Sequence, residues 1–394
     1  MRIFSILALF TACSYHHGLG GDAGSNGSDA APIDASNGDV LVTPDTKPAC
    51  DWAVHFDGCA HASFPTTGMT ISGAATLTTN GGGMFGGSGV SGGTTYVKSD
   101  ITQRDGTHAL LVLVHSLDMS GTLVIVGDKP VIFASETTIA TNTLIDASSA
   151  QGGNTGPGAD LVACTANAAA PGVGTSSDGG GGGGGGFATV GGSGGTANQD
   201  VGGAGGTALA AIPAAIRGGC PGAKGSKGSG SGAAGGNGGK AGGGIELAAK
   251  QSIMFAASIT TGGAGGDKGN QAAGGGGGGG TGGVISFDSP SITFAGGSVI
   301  AANGGGGGGG GNAGFTQAGQ NGVASGSRAN GGIGAQTGGR GGALATGAAS
   351  DRDGEALGAS SAGGGGGGGG VGYILVHGTV VNLGALISPP STPI

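Results

Sequence analysis

The chain has 394 residues, of which 105 are glycine and only 9 % are charged. Its net charge of −8 leaves no excess of lysine and arginine, so nucleic acid is excluded as an expected partner. Disorder of the whole chain is disfavoured, because disordered chains combine low hydrophobicity with high charge. Here the apolar residues are instead clustered into short, strand-like segments.

The first 13 residues have the pattern of an export signal. An arginine at position 2 precedes an apolar stretch, residues 3–12, that is too short to cross a bilayer. The sequence Thr11-Ala12-Cys13 resembles the lipobox of bacterial lipoproteins, although Phe10 stands where that motif prefers leucine. In that family the cysteine is lipidated and becomes the mature N-terminus. The alternative is ordinary secretion without lipidation.

Residues 14–49 are predicted to form a disordered, acidic tether rich in Gly, Ser, Asp, Ala and Pro. A flexible coil of this length spans about 30 to 35 Å, which holds a folded body away from a membrane. Ser14, directly after Cys13, favours the outer membrane by resemblance to the lipoprotein family. We therefore expect an exported protein that its N-terminal lipid attaches to the outer membrane or cell surface.

Four cysteines remain after the signal: Cys50, Cys59, Cys164 and Cys220. An even number of cysteines in an exported chain predicts disulfide bonds, in this case two. Pairing of nearest neighbours joins Cys50 to Cys59 and Cys164 to Cys220, but four cysteines allow three connectivities.

Residues 50–120 are predicted to form a disulfide-closed N-terminal cap and the first β-strands. The segment between Cys50 and Cys59 alternates apolar and polar residues and holds the single tryptophan, Trp52. A solenoid needs such an atypical unit to cover its open end. Zinc bound by these cysteines with His55 and His61 is the alternative, but their spacing fits no common zinc site.

β-rich stretches follow at residues 69–78 and 109–114, and a repeat occupies residues 121–394. Each copy has two apolar pairs with i, i+2 spacing, which places both members of a pair on one face of a strand. The pairs are Val124-x-Val126 with Val131-x-Phe133, Ile245-x-Leu247 with Ile253-x-Phe255, Ile285-x-Phe287 with Ile292-x-Phe294, and Ile374-x-Val376 with Val381-x-Leu383. An isoleucine follows each copy, at Ile139, Ile259, Ile300 and Ile387.

This spacing predicts an all-β fold, a parallel β-helix or solenoid with three short strands in each coil. A coil cannot bury its apolar face alone, so the like residues of successive coils stack and stabilise order by about 25 cal/mol per Å² buried. One alternative is an antiparallel sandwich with long glycine loops. It is disfavoured because hairpin signals such as Asn-Gly are missing between the strands. A mostly disordered chain is the other alternative.

Four unbroken glycine runs interrupt the repeat, at residues 179–186, 274–280, 304–311 and 363–370. Ordering a backbone costs about 1 to 2 kcal/mol per residue, and glycine loses the most freedom. One ordered form is a set of polyglycine-II-like helices with three residues per turn, whose amides and carbonyls pair between neighbours. The runs are expected to adopt it only if several of them pack together on one side of the solenoid.

Short apolar strands that alternate with glycine runs, such as 274–280 followed by Val284–Phe294, resemble the glycine-rich region of anaplastic lymphoma kinase receptor ectodomains. That resemblance implies a packed layer of polyglycine helices. The whole layout also resembles surface lipoproteins of Gram-negative soil bacteria that are described as PE-PGRS-like for composition only. The helical N-terminus of true PE proteins is missing here, so that description implies no function.

An enzyme is not expected. Polysaccharide lyases and glycosidases are the enzymes most natural to a β-helix, and they need paired carboxylates or carboxylate-bound calcium. The chain has only three glutamates, Glu136, Glu246 and Glu355. Glu246 is predicted to point outward as an isolated, solvated charge, because the matching positions of the other coils are not acidic.

We therefore expect a non-catalytic surface lipoprotein with a structural or adhesive role, in contact with extracellular polysaccharide or other surface proteins. No cofactor and no metal is expected. A carbohydrate-active β-helix enzyme is the first alternative, and an open groove with two carboxylates within about 10 Å would favour it. The second alternative is a protein that binds ice or another surface through an ordered polyglycine layer.

Lipidation of Cys13 is tested by metabolic labelling with a palmitate analogue. We expect the wild-type chain to be labelled and to sediment with membranes, and Cys13→Ala, which lacks the acceptor thiol, to remain unlabelled. Unlabelled wild-type chain released into the medium would contradict the prediction.

Overall fold

The computed structural model describes residues 52–160, 162–174, 178–228, 234–270, 272–311, 315–341, 352–356 and 362–394. Cys13, the tether and Cys50 lie outside these described residues. The described residues form β-strands and one 3₁₀-helix, Val162–Asn167, and include no α-helix. Within the same ranges, no helix has the length and apolarity needed to span a bilayer.

The strands are short, apart from two long ones near the C-terminus. They are β1 (Met69–Ile71), β2 (Ala75–Thr78), β3 (Met84–Gly87), β4 (Tyr96–Thr102), β5 (His108–Val114), β6 (Leu117–Met119), β7 (Leu123–Val126), β8 (Val131–Ser135), β9 (Thr138–Thr141), β10 (Leu144–Asp146), β11 (Gly244–Ala249), β12 (Ser252–Phe255), β13 (Ser258–Thr260), β14 (Val284–Phe294), β15 (Val299–Ala301), β16 (Tyr373–Asn382), β17 (Leu386–Ser388) and β18 (Thr392–Pro393).

Most strand pairs are parallel and belong to three ladders. The first ladder runs β5, β8, β11, β14 and β16, and the second runs β1, β6, β9, β12, β14 and β16. The third ladder runs β2, β7, β10, β13, β15 and β17. Antiparallel pairs join β3 to β2 and β4 to β5. The all-β prediction with mainly parallel strands is confirmed, and the antiparallel sandwich is wrong.

The glycine-rich inserts all occupy the same kind of connection. From β5 onward the chain visits the first, second and third ladders in turn and then repeats that order. Residues 147–243, 261–283 and 302–372 each leave a strand of the third ladder and return to a strand of the first ladder. The inserts therefore start and finish beside one another, because the strands that flank them are hydrogen-bonded neighbours.

The inward side chains of the ladders stack on their equivalents. In the first ladder Ile245, Ile285 and Ile374 pair in register, and all three are 0 % exposed. Residues from all three ladders form one continuous core. At the boundary of the first and second ladders the rings of Phe287 and Phe294 meet edge to face, with centroids 4.9 Å apart. Such pairs stabilise a core by about 0.5 to 1.5 kcal/mol beyond the area that they bury.

The predicted alignment of equivalent residues is right for the two middle copies of the repeat and wrong for the first and the last copy. Val131 pairs with Ile245, not with Ile253, so the first copy is displaced by one strand. In β7 the buried residues are Leu123 and Ile125, and the predicted pair Val124-x-Val126 faces the other way. Because β7 has apolar residues on both faces, the sequence does not show which face is buried.

In the last copy the predicted pair Val381-x-Leu383 is out of register, because β14 has a bulge between Asp288 and Ser291 and Val380, not Val381, pairs with Ile292. All of residues 378–382 are exposed. Two residues of β14 there face the single residue Gly378 of β16, whose φ is 122°. A Cβ at Gly378 would lie 1.7 Å from the carbonyl oxygen of Ser289. A bulge adds one residue to one strand and shifts everything after it.

The outward face of the first ladder is also covered by protein. Its apolar residues belong to a second buried cluster that includes Phe56 from the N-terminal segment and Phe187 and Ile216 from the first insert. The outward members of the ladder are Leu111 and Leu113, Ile132 and Ala134, Ala248, Val284 and Leu375. Side chains on both faces of this ladder are therefore buried.

Candidate functional site

Two carboxylates lie on the covered face of the first ladder. Glu246 of β11 pairs in register with Ser286 of β14, and Asp288 follows two residues later on the same face. Both are buried, with exposed fractions of 0 % and 1 %. The prediction that Glu246 is solvated is wrong, and Asp288 was missed because it belongs to a neighbouring strand at a different register position.

Each of these carboxylates pairs with a histidine. His55 Nδ1 lies 2.9 Å from Glu246 Oε1, and His377 Nδ1 lies 2.7 Å from Asp288 Oδ1. The backbone N–H of Val54 donates to Asp288 Oδ2 at 2.8 Å. The segment predicted to be a terminal cap therefore lies on the outward face of β11 and β14 and is bonded to both.

This N-terminal segment covers the two carboxylates, and its aromatic rings pack against one another. Trp52 meets Phe56 edge to face at 5.3 Å between ring centroids, and Phe64 lies 6.3 Å from Trp52. The Lys250 ammonium lies 4.5 Å from the centroid of Phe64. A cation over an aromatic face is attracted by the ring quadrupole, so Lys250 of the turn after β11 helps to hold the cover.

The two histidine–carboxylate pairs differ in exposure, and His55 with Glu246 is the buried pair. Burial on its own lowers the pKa of His55, but the nearby carboxylates of Glu246 and Asp288 outweigh it, so the pKa of His55 is raised. Burial raises the pKa of Glu246. Both directions keep a proton on the pair at higher pH. His377, in contrast, is 45 % exposed.

The other two glutamates do not join this cluster. Glu136 Oε2 lies 2.8 Å from His115 Nδ1, with both side chains about two-fifths exposed at 40 % and 38 %. Glu355 Oε2 accepts a hydrogen bond from the backbone N–H of Thr337. The three glutamates therefore occupy three separate environments.

The structure joins Cys164 to Cys220 by a disulfide with a Cα–Cα distance of 5.5 Å. Arg217 Nη2 donates to Cys164 Sγ at 3.3 Å, and its guanidinium lies 5.3 Å from the Phe187 ring centroid. Burial lowers the pKa of Arg217. This group anchors the first insert against the outward face of the first ladder.

Cys59 is also disulfide-bonded, whereas Cys50 lies outside the described residues. Since His55 bonds Glu246, two of the four groups that the zinc alternative requires are engaged elsewhere. No cluster of three or more His, Cys, Asp or Glu side chains suited to a metal ion occurs in the described part of the chain.

The largest ordered feature outside the ladders is a layer of hydrogen-bonded glycine segments. In the run 274–280, successive amides donate to different neighbouring segments, and every third amide returns to the same one. The donor–acceptor pairs are Gly276–Gly364 and Gly279–Gly367, Gly277–Asp267 and Gly280–Ala264, and Gly275–Ser226 and Gly278–Ala223, with N···O distances of 2.8 to 2.9 Å.

The carbonyls of the same run accept from three further segments. The donor–acceptor pairs are Gly182–Gly276 and Gly185–Gly279, Gly305–Gly280 and Gly308–Gly277, and Gly236–Gly275 and Gly239–Gly278. Three accepting and three donating neighbours surround the run on six sides. A repeat of three residues in the bonding pattern matches a chain with three residues per turn.

Close packing explains why these segments are glycine. A Cβ on any residue of the run 274–280 would lie 1.9 to 2.2 Å from a carbonyl oxygen of a neighbouring segment. All four glycine runs are buried. They are the interior of the layer, so its outer surface is built by the flanking segments, which carry side chains.

Comparison of the chain with protein-family models, with curated proteins and with solved structures gives no match.

The buried pair predicts that stability falls as the pH rises. Because the pKa values of His55 and Glu246 are raised, the folded state holds a proton that the unfolded chain has released. The stabilisation by His55 is complete below its ordinary pKa of 6.5 and is lost as the pH rises through the raised value. We expect Glu246→Gln, which removes the carboxylate, to flatten this decline, by up to about 1.4 kcal/mol per pH unit for one proton.

Urea unfolding between about pH 6 and pH 9 measures the decline, since this range covers histidine titration. Glu136→Gln is the matched control, because it removes a glutamate that pairs with a histidine at the surface. An unchanged slope in Glu246→Gln, or an equal change in both variants, would refute the prediction.

The glycine layer predicts a position-specific cost of adding one methyl group. In Gly278→Ala the Cβ meets the carbonyl oxygen of Gly183 at 1.9 Å, so we expect a loss of about 1 to 3 kcal/mol in the free energy of unfolding. Gly92→Ala is the control, because its Cβ meets nothing within 4 Å. Thermal unfolding compares the two variants, and equal midpoints would show that the layer does not pack as described.

Proposed function

We propose that this protein is a non-catalytic surface lipoprotein with a structural or adhesive role. In this proposal, lipid on Cys13 holds the chain at the outer membrane or cell surface. The tether, residues 14–49, separates the folded body from the membrane. The body presents a rigid surface to extracellular matrix, polysaccharide or other surface proteins.

We further propose that the three ladders are the faces of a parallel β-helix, with the inserts forming a polyglycine-II layer at one corner. The order in which the chain visits the ladders supports the helix, because each coil then contributes one strand to each face. The three-residue period of the hydrogen bonds supports the layer.

The observation that carries the proposed role is the buried, hydrogen-bonded glycine layer. Its four runs contain no side chain that could perform chemistry, yet each run is fixed by bonds to neighbours far away in sequence. A large part of the chain thus builds a stiff scaffold. A scaffold of this kind positions a surface, which is what a structural or adhesive protein requires.

The buried carboxylates also favour a non-catalytic role. A glycosidase needs two carboxylates that a sugar can reach. The segment that contains Val54 and His55 is bonded directly to both Glu246 and Asp288. A polysaccharide could reach them only if this cover left the sheet. The ice-binding alternative gains no support, since the glycine runs are buried and do not form a surface.

The proposed role is tested on cells that carry the full chain. We expect such cells to be retained on extracellular matrix isolated from the same culture, and deletion of the chain to reduce retention. A chain with Glu246→Gln should restore retention to the wild-type level, because a buried carboxylate takes no part in a contact at the surface. Reducing ends released from that matrix should stay at the level of the deletion strain.

Two results would overturn the proposal. One is retention that does not change on deletion. The other is release of reducing ends that requires Glu246 or Asp288, with Glu136→Gln as the control for a general effect of losing a glutamate.

A further inference from the structure

A depression lies on the outer surface of the glycine layer. Three adjoining cavities of about 420, 730 and 350 Å³ share Asp267 as a lining residue. The first two also share Lys268, and the first and third share Asn237. The cavities are therefore one continuous depression, the layer cleft, which is long enough to take an extended polymer.

Lysines are concentrated in and beside the layer cleft. Two of them line it, and two lie on the segment 222–227, which neighbours the cleft wall 234–240. Amides of the first segment donate to carbonyls of the second at 2.9 and 3.0 Å. All four side chains are exposed, and they are half of the eight lysines in the chain. The lining lysines are Lys240 and Lys268, and the flanking lysines are Lys224 and Lys227.

The three-residue period of the layer fixes the positions of these lysines. Lys224 and Lys227 are three residues apart, so at about 3.1 Å per residue they lie about 9 Å apart along one side of their segment. Asn237 and Lys240 have the same relation on the next segment. Both segments are hydrogen-bonded to the buried glycine run 274–280. The positive charges are therefore carried by a rigid backbone that a ligand does not have to order.

The lysine charges exceed those of the carboxylates around them. In the described part of the chain, none of the four lysines takes part in an ion pair. Among the described residues that line the cleft, Asp267 is the one carboxylate, and it accepts hydrogen bonds from Gln151 Nε2 at 2.7 Å and Asn237 Nδ2 at 3.1 Å. A second carboxylate, Asp160, interacts electrostatically with Lys240. Four positive charges against these two negative ones attract anions.

Amide side chains accompany the lysines. Asn237 and Asn270 line the same cavity as Lys268, and Gln151 and Gln317 line the adjoining one. An amide group both donates and accepts hydrogen bonds, as a sugar hydroxyl does. The combination matches a polymer that carries hydroxyl groups as well as negative charges. A flat lipid surface could not enter the depression to meet the amides.

We propose that the layer cleft and its flanking lysines bind an acidic polysaccharide, one with carboxylates on its sugar rings. The inference rests on the proposed adhesive function and names the class of its ligand. A lysine ammonium binds a carboxylate as a point charge without strict geometry, so it suits a flexible polymer. Each exposed contact is weak, but contacts along one polymer reinforce one another because the first holds the chain near the next.

Binding of the full chain, in mild detergent, to immobilised polymers tests the site. The polymers are polygalacturonate, neutral dextran and polyglutamate, which has carboxylates but no sugar. We expect the wild-type chain to bind polygalacturonate most tightly. Binding should weaken as NaCl rises from about 50 to about 500 mM, because salt screens exposed charges. Lys224→Gln and Lys227→Gln should each weaken it about two- to fivefold at low salt.

Two controls separate binding at the cleft from general effects. Arg340→Gln also removes one positive charge from the layer, but Arg340 is exposed elsewhere and is not among the residues that line the cleft. It should bind like the wild type. Lys224→Arg keeps the charge and should restore binding. The exchanged side chains are exposed, so the unfolding midpoints of all variants should agree.

The inference fails if dextran or polyglutamate binds as tightly as polygalacturonate, or if salt leaves the binding unchanged. It also fails if Lys224→Gln and Lys227→Gln bind as strongly as Arg340→Gln. Each of these results leaves retention on the native matrix, the readout of the adhesive function, unaffected. Retention that survives deletion of the chain would instead overturn the adhesive function, whatever polymer the purified chain binds.

Discussion

The fold of this protein depends on close contact between backbones, which is possible only where no side chains lie between them. A hydrogen bond contributes a net 0.5 to 1.5 kcal/mol or so, whereas ordering one residue costs about 1 to 2 kcal/mol. A single glycine segment therefore gains nothing by becoming ordered. The run 274–280 escapes this limit because its amides and carbonyls are bonded to six neighbours, which no isolated loop could provide. Order in the layer is collective.

The ladders make that collective order possible. Each insert leaves a third-ladder strand and returns to a first-ladder strand, so strand pairing brings the ends of all inserts together. The disulfide between Cys164 and Cys220 and the contact of Phe187 with the outward face of the first ladder then hold the first insert against the sheet. The free energy gained by apolar burial in the ladders thus helps to offset the entropic cost of closing these long loops. The glycine segments have only to align.

The i, i+2 spacing was sufficient to predict parallel strands and the register of Ile245, Ile285 and Ile374. It failed at β7, where both faces carry valine, leucine or isoleucine, and at β16, where a bulge in its partner shifts the register. The burial of Glu246 could not be predicted, because a strand pattern shows which side a residue faces and not what covers that side. The cover comes from residues 52–64, nearly two hundred positions earlier in the sequence.

For a similar reason, the segments that neighbour a glycine run cannot be predicted from the run itself. Every residue in a run is alike, so no pattern within it identifies the segment to which it bonds. The information lies instead in the flanking segments, where a side chain is allowed only at positions that face outward. Asn237 and Asp267 occupy such positions, and their exchange for other residues would leave the interior of the layer unchanged. The side chains at these positions can therefore differ without a change in the glycines that hold them in place.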